Sequence, residues 1–132
     1  LAFAPTTPIV ILGMVVGAIP AMCFPAMQQL MSEQKPYLNS DLKISDLGKL
    51  MSLPAHQLSQ TINQCAGENF YTFINRYRIE EAKRLFQSGK SSVTDIALAA
   101  GFNSQSAFYK RFKESTGLTP GQYSKSLGSR GG

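Results

Sequence analysis

Asp46-Leu47-Gly48-Lys49-Leu50-Met51-Ser52-Leu53-Pro54-Ala55-His56-Gln57-Leu58 is answered later in the chain by Asp95-Ile96-Ala97-Leu98-Ala99-Ala100-Gly101-Phe102-Asn103-Ser104-Gln105-Ser106-Ala107-Phe108. Asp46, Leu47 and Leu50 match Asp95, Ile96 and Ala99 at a shift of 49 residues. After one inserted residue in the turn, Leu58, Ile62, Gly67 and Phe73 match Phe108, Phe112, Gly117 and Tyr123 at a shift of 50. A unit of short helix, tight turn and second helix therefore occurs twice. This is the helix-turn-helix pattern, in which the first helix braces against a duplex and the second lies in the major groove.

The helices around this repeat read from their end signals. Ser45 and Asp46 provide a cap and a first-turn acid for a helix with Leu47, Leu50 and Met51 on its inner face. Ser52-Leu53-Pro54 ends it, and proline is tolerated in the first turn of the helix that follows. That helix carries Leu58 and Ile62 on one face, and Gly67 suits a left-handed cap at its end.

Asn69 is placed to cap a longer helix reaching about Phe86, with Phe70, Phe73, Ile74, Tyr77, Ile79, Ala82 and Leu85 as its apolar stripe. After a loop at Ser88-Gly89-Lys90-Ser91, Ser92-x-x-Asp95 forms a capping box for a helix with Ile96, Ala99 and Ala100. Gly101 makes the second turn and Phe102 plugs the core. No strand-like alternation appears, so the expected class is all-α: two helix-turn-helix subdomains in tandem, homeodomain-like in style and joined by a long linker helix, preceded by an apolar helical segment. Two reading heads about 34 Å apart would meet successive major grooves on one face of DNA.

Charge is distributed unevenly. The net charge is +5, with a pI near 9.4. Residues 1–32 carry no charge, whereas from Pro36 onward twelve Lys and Arg face seven Asp and Glu. Residues 8–27 form an apolar run of the length needed for a helix to cross a bilayer, roughly 20 residues. Pro8, Pro20 and Pro25 interrupt it and leave residues 9–19 unbroken, a length also compatible with a buried helix. The expected division is residues 1–31 as an apolar segment holding a last transmembrane helix, 32–127 as the tandem domain and 128–132 as a flexible tail. Gly13 and Gly17 offer a small-residue seam for a homodimer.

The surfaces of the two second helices carry the chemistry. When Ala107, Phe108 and Phe112 face the core, Gln105, Ser106, Tyr109, Lys110 and Lys113 stay outward, with Arg111 placed to reach the DNA backbone. Amide, hydroxyl and ammonium groups suit base edges and phosphates. In the earlier copy the outward set is His56, Gln57, Ser59, Gln60 and Asn63, without formal charge. That head should hold phosphates more weakly and still hydrogen-bond bases, since Gln and Asn pair well with adenine.

Enzymatic readings fail on specific residues. Ser88-Gly89-Lys90-Ser91 resembles the end of a phosphate-binding loop, but Arg84 stands where that loop needs a glycine. His56 is the single histidine, which excludes multi-histidine metal sites and, without a second base, argues against a catalytic triad. Cys23 and Cys65 have neither zinc-ligand nor disulfide-framework spacing. Glu80 with Arg84, and Glu81 with Arg78, are read as surface ion pairs on the linker helix. No enzyme and no cofactor are expected. A helical protein-interaction module on a membrane protein, without DNA affinity, is the alternative reading.

Further motifs carry a family resemblance. Arg78-Ile79-Glu80-Glu81-Ala82-Lys83-Arg84-Leu85, Asp95-Ile96-Ala97, Gly101 to Phe108, Phe112-Lys113 and Gly117-Leu118-Thr119-Pro120-x-x-Tyr123 stand in one order. Together they resemble the DNA-binding domain of the AraC/XylS family of bacterial transcription regulators, over about residues 36–127. The resemblance implies seven helices and two recognition helices in adjacent major grooves of a roughly twenty-base-pair site. By motif position it implies base-reading roles for His56, Ser59 and Gln60 in the first head, and for Gln105, Ser106, Tyr109 and Lys110 in the second. Gln57, Asn63, Ser104, Arg111 and Lys113 are assigned to the DNA backbone.

The chain departs from the family pattern at three places: Gly48 stands where alanine is usual, Ile62 where phenylalanine is usual, and Ser124 where arginine is usual. The first two suggest a less rigid first unit, and the third removes a positive charge. Asn69-Phe70-x-x-Phe73-Ile74-Asn75-x-Tyr77-Arg78 looks most like a branch in which the domain follows a multi-helix membrane sensor. Double-stranded DNA is the expected partner. RNA polymerase, and a membrane through residues 8–27, are further partners on this reading, which places the domain in the cytoplasm, tethered to the inner membrane.

Overall fold

A computed structural model describes residues 20–89 and 92–131, and in them the chain forms seven α-helices and one short 3-10 helix, with no strand. The α-helices are α1 (Pro20–Gln34), α2 (Ile44–Met51), α3 (Ala55–Ala66), α4 (Phe70–Gln87), α5 (Val93–Ala99), α6 (Gln105–Thr116) and α7 (Pro120–Gly131). The 3-10 helix, Pro36–Leu38, lies between α1 and α2. Two compact units divide this set: the first holds the described residues up to Pro36 and 42–73, the second 37–41 and 74 onward.

The first unit is built on α1. Cys23, Ala26, Met27, Leu30 and Met31 recur at helical spacing and are all buried, and the helix packs against α3. Pro25 sits inside α1. It removes one backbone hydrogen bond, a cost of about 3 kcal/mol in an exposed helix interior. Burying five neighbouring apolar side chains, roughly 1.5–3 kcal/mol for each large one, outweighs that cost. Helix α1 thus runs straight across the division at residue 31 that the composition suggests. Among the described residues no helix is long and apolar enough to cross a membrane. Residues 8–19, with Gly13 and Gly17, lie outside the described residues.

Leu47, Met51, Leu53, Leu58, Ile62, Phe70 and Phe73 complete this core, and the rings of Phe24 and Phe73 meet at 5.9 Å. Helix α2 starts earlier than its sequence signals suggest. Lys43, and not Ser45, is the cap residue, while Asp46 lies in the first turn as expected and accepts the Lys43 backbone N–H at 2.9 Å. Leu50 faces solvent while Leu47, Gly48 and Met51 face inward.

The second unit repeats the plan. Ser92 caps α5 by accepting the Asp95 N–H at 3.3 Å, as the capping-box reading expects. Ile96, Ala97 and Ala100 are buried and Ala99 is exposed, the counterpart of the outward Leu50. Both first helices bury positions i, i+1 and i+4, because the residue at i+1 carries the close approach to the turn. Phe86, Phe102, Phe108, Phe112 and Tyr123 form an aromatic cluster with ring centroids between 5.1 and 5.8 Å. Tilted and edge-on pairs of this kind add about 0.5–1.5 kcal/mol each beyond their buried area.

Helix α4 begins where Asn69 accepts the Thr72 N–H at 2.9 Å, confirming its cap. Its charges pair differently from the sequence expectation: Glu80 with Lys83 at 3.0 Å, and Glu81 with Arg84 at 2.6 Å. Arg78 is drawn instead to backbone carbonyls, donating to Tyr37 at 2.7 Å and to Asn39 at 3.0 Å. Tyr37 stacks on Tyr77 at 5.5 Å. At the far end, Thr119 and Gln122 cap α7 reciprocally at 3.0 and 3.1 Å, which gives the Thr119-Pro120 motif its physical sense. The helix then continues to Gly131, so the expected flexible tail at 128–132 is helical through residue 131.

Candidate nucleic-acid interface

Each unit presents a second helix by the same backbone device. Helix α2 ends at Ser52 in the left-handed region, with the Leu53 N–H returning to the Gly48 carbonyl at 2.9 Å. Helix α5 passes into its turn at Gly101, φ 99°, with the Phe102 N–H returning to Ala97 at 3.0 Å. Leu53 and Phe102 are then both buried as plugs. These six-to-one returns satisfy carbonyls that the helix ends would leave open. Helices α3 and α6 follow, each 12 residues long, and each ends at a left-handed glycine, Gly67 or Gly117, as the repeat predicts.

The first turn is one residue shorter than the second, and this explains Gly48. A β-carbon there would lie 2.6 Å from the Leu53 carbonyl oxygen. Glycine at this position serves close packing, so its departure from the alanine pattern marks a tighter turn, where the sequence suggests a looser unit.

On α6, Phe108 and Phe112 are fully buried, while Gln105, Ser106, Tyr109, Lys110, Arg111 and Lys113 are exposed. Gln105, Ser106, Tyr109, Lys110 and Lys113 line one shallow open depression. Ser104 is the cap of α6: its hydroxyl oxygen accepts the Ala107 N–H at 3.1 Å and lies 3.4 Å from the Ser106 hydroxyl. Arg111 pairs with Glu114 at 3.3 Å on the exposed surface, an interaction of small worth. The Gln105 side-chain oxygen accepts a hydrogen bond from the Thr94 hydroxyl of α5 at 3.3 Å. The sequence reading misses Thr94, because nothing in one chain's sequence announces a contact across the turn.

On α3, Leu58, Thr61 and Ile62 face the core. His56, Gln60 and Asn63 are exposed, and Gln57 and Ser59 are half-buried. The five residues expected outward therefore share one side of the helix, two of them partly covered. The helix carries no formal charge, against three basic residues and one acid on α6. Ions on α6 contribute attraction that salt screens, while α3 offers only hydrogen bonds. No group of three or more His, Cys, Asp or Glu able to hold a metal ion exists among the described residues.

Known proteins share this plan. A family model described as a helix-turn-helix domain matches residues 47–126. An uncharacterised HTH-type transcriptional regulator of Staphylococcus aureus (strain COL) is 36% identical over 87 residues, covering 66% of this chain and 12% of that protein. The chain thus spans only a small part of that relative's length. The C-terminal domain of AraT, a response regulator from Geobacillus stearothermophilus, superposes with a TM-score of 0.67 at 28% identity, over 78% of this chain and 83% of that one. The DNA-binding domain of AdpA, solved in complex with a target DNA, has the same fold, with a TM-score of 0.69 at 18% identity, over 79% of this chain and 94% of that one. With both copies of the unit built alike, the chain belongs to the AraC-type helix-turn-helix family.

Proposed function

We propose that this chain binds double-stranded DNA sequence-specifically, as the DNA-reading part of a bacterial transcription regulator. The observation that carries this reading is the exposed face of α6, where Gln105, Ser106, Tyr109, Lys110 and Lys113 converge on one shallow depression beside a capped helix N-terminus. Amide, hydroxyl and ammonium groups there match base edges, and Lys113 matches a phosphate. The names of the relatives, HTH-type transcriptional regulator and DNA-binding domain, favour the same function.

In this reading α6 enters a major groove with Gln105, Ser106, Tyr109 and Lys110 toward bases and Ser104, Arg111 and Lys113 toward the backbone. Helix α3 enters a neighbouring groove with His56, Ser59 and Gln60 toward bases and Gln57 and Asn63 toward the backbone. Such work belongs in the bacterial cytoplasm, and RNA polymerase is the partner a regulator ultimately addresses. Titrating labelled duplex at rising salt tests the proposal. Affinity should fall steeply, and replacing Lys113, which faces the backbone, with alanine should lower the log–log slope by about one. Affinity indifferent to salt would overturn it.

A further inference from the structure

The Thr94 hydroxyl donates to the Gln105 side-chain oxygen across the second turn, at 3.3 Å, with both residues on the exposed surface. A glutamine amide has two faces of opposite character: its oxygen accepts and its NH2 donates. Which face meets a base decides which base is favoured. A free glutamine flips at little cost and pairs with adenine by using both faces at once. A threonine hydroxyl can engage either end of an amide; in the arrangement here it engages the oxygen, which leaves the NH2 outward.

We infer that Thr94 is a positioning residue that sets the base preference of Gln105, turning the amide so that the NH2 faces the groove. The inference rests on the DNA-binding reading above. With the donor side presented, Gln105 favours a base offering acceptors in the major groove, such as the N7 and O6 of guanine, and disfavours the cytosine amino group. The first copy of the unit has no such device. Ser45 and Ala55 occupy the positions equivalent to Thr94 and Gln105, so no amide stands there to be held.

The test compares the full 132-residue chain with Thr94→Val, Thr94→Ser and Gln105→Ala, each used to select duplexes from a randomised pool. Gln105→Ala identifies the column that Gln105 reads. Thr94→Val, which keeps the shape and removes the hydroxyl, should reduce discrimination in that same column about three- to tenfold. Thr94→Ser restores the hydroxyl and should restore the preference. Circular dichroism and thermal unfolding of Thr94→Val confirm that the unit is folded, as an exposed helix residue leads one to expect.

An unchanged profile in Thr94→Val would overturn the inference, as would uniform weakening on all sequences, which would mark Thr94 as a phosphate-binding residue. A Gln105→Ala profile with no flattened column would overturn it too, by removing Gln105 as a reader. If the unmodified chain enriches no sequence at all, the DNA-binding reading fails, and the inference with it. That outcome is distinct from a selective chain indifferent to Thr94.

Discussion

Gly101 turns at φ 99° with its α-carbon against the carbonyl of Tyr37, so close that a β-carbon would overlap the oxygen. The same β-carbon would come within 3.1 Å of Arg78 Nε, which donates to that carbonyl at 2.7 Å. One glycine therefore serves two demands, a left-handed turn and the seating of the chain that precedes α2. Gly101→Ala should destabilise the second unit by about 3 kcal/mol or more, combining left-handed strain with overpacking. Urea denaturation followed by circular dichroism measures it, and a loss below about 1 kcal/mol would show that the turn relaxes freely.

Arg78 gives a related prediction. Its guanidinium donates to Tyr37, Asn39 and Asn75, and burial lowers its pKa from the ordinary value. Lysine has the charge without the fork and cannot reach Tyr37, Asn39 and Asn75 together, so Arg78→Lys should still cost about 1–3 kcal/mol. Thermal unfolding of the two variants, Arg78→Lys and Arg78→Ala, should place lysine much nearer to alanine than to arginine.

The first turn makes opposite predictions at two neighbouring positions. Ser52 is left-handed without being glycine and is exposed, so Ser52→Gly should stabilise by about 0.5–1 kcal/mol. Gly48→Ala gains about 1 kcal/mol of helix propensity. It loses more, because the Leu53 carbonyl lies where the methyl must go. The melting temperature should rise for the first variant and fall for the second.

Cys23 gives the fold a dependence on alkaline pH. Burial raises its thiol above the ordinary value of 9.0, with Cys65 adding to the rise and the Thr61 side chain opposing it. A raised pKa means that the folded state holds the proton more firmly. Stability is then complete below pH 9.0 and falls as the pH climbs through the folded value. Tyr37, raised by burial and by Glu81, acts in the same direction from its ordinary 10.0 upward. Cys23→Ala should lower stability at neutral pH through the cavity it leaves, and flatten the decline that begins near pH 9. Urea midpoints across that range provide the check.

Much of this is legible in the sequence because the unit is written twice. The shift from 49 to 50 locates the turns, and Gly67, Asn69, Ser92 and Gly117 announce helix ends that the structure bears out. Helix α1 is obscured because its buried stripe is embedded in a longer apolar run, where a bilayer and a protein core leave the same composition. A generic helical pattern puts Leu50 and Ala99 inward, whereas a tight turn shifts the buried face by one residue. At the interface, outward residues follow from spacing. Thr94 and the carbonyl partners of Arg78 join segments distant in sequence, on which a periodicity is silent.

Base reading by the exposed face of α6 is the proposal on which the function rests, and quantitative binding of Gln105→Ala to single-base variants of a selected duplex tests it most directly. The expected result is a loss of preference at one base pair, about 1–3 kcal/mol, with the other positions and the salt slope unchanged. Equal weakening at every position, or no change at any, would contradict the assignment of this helix as the reader.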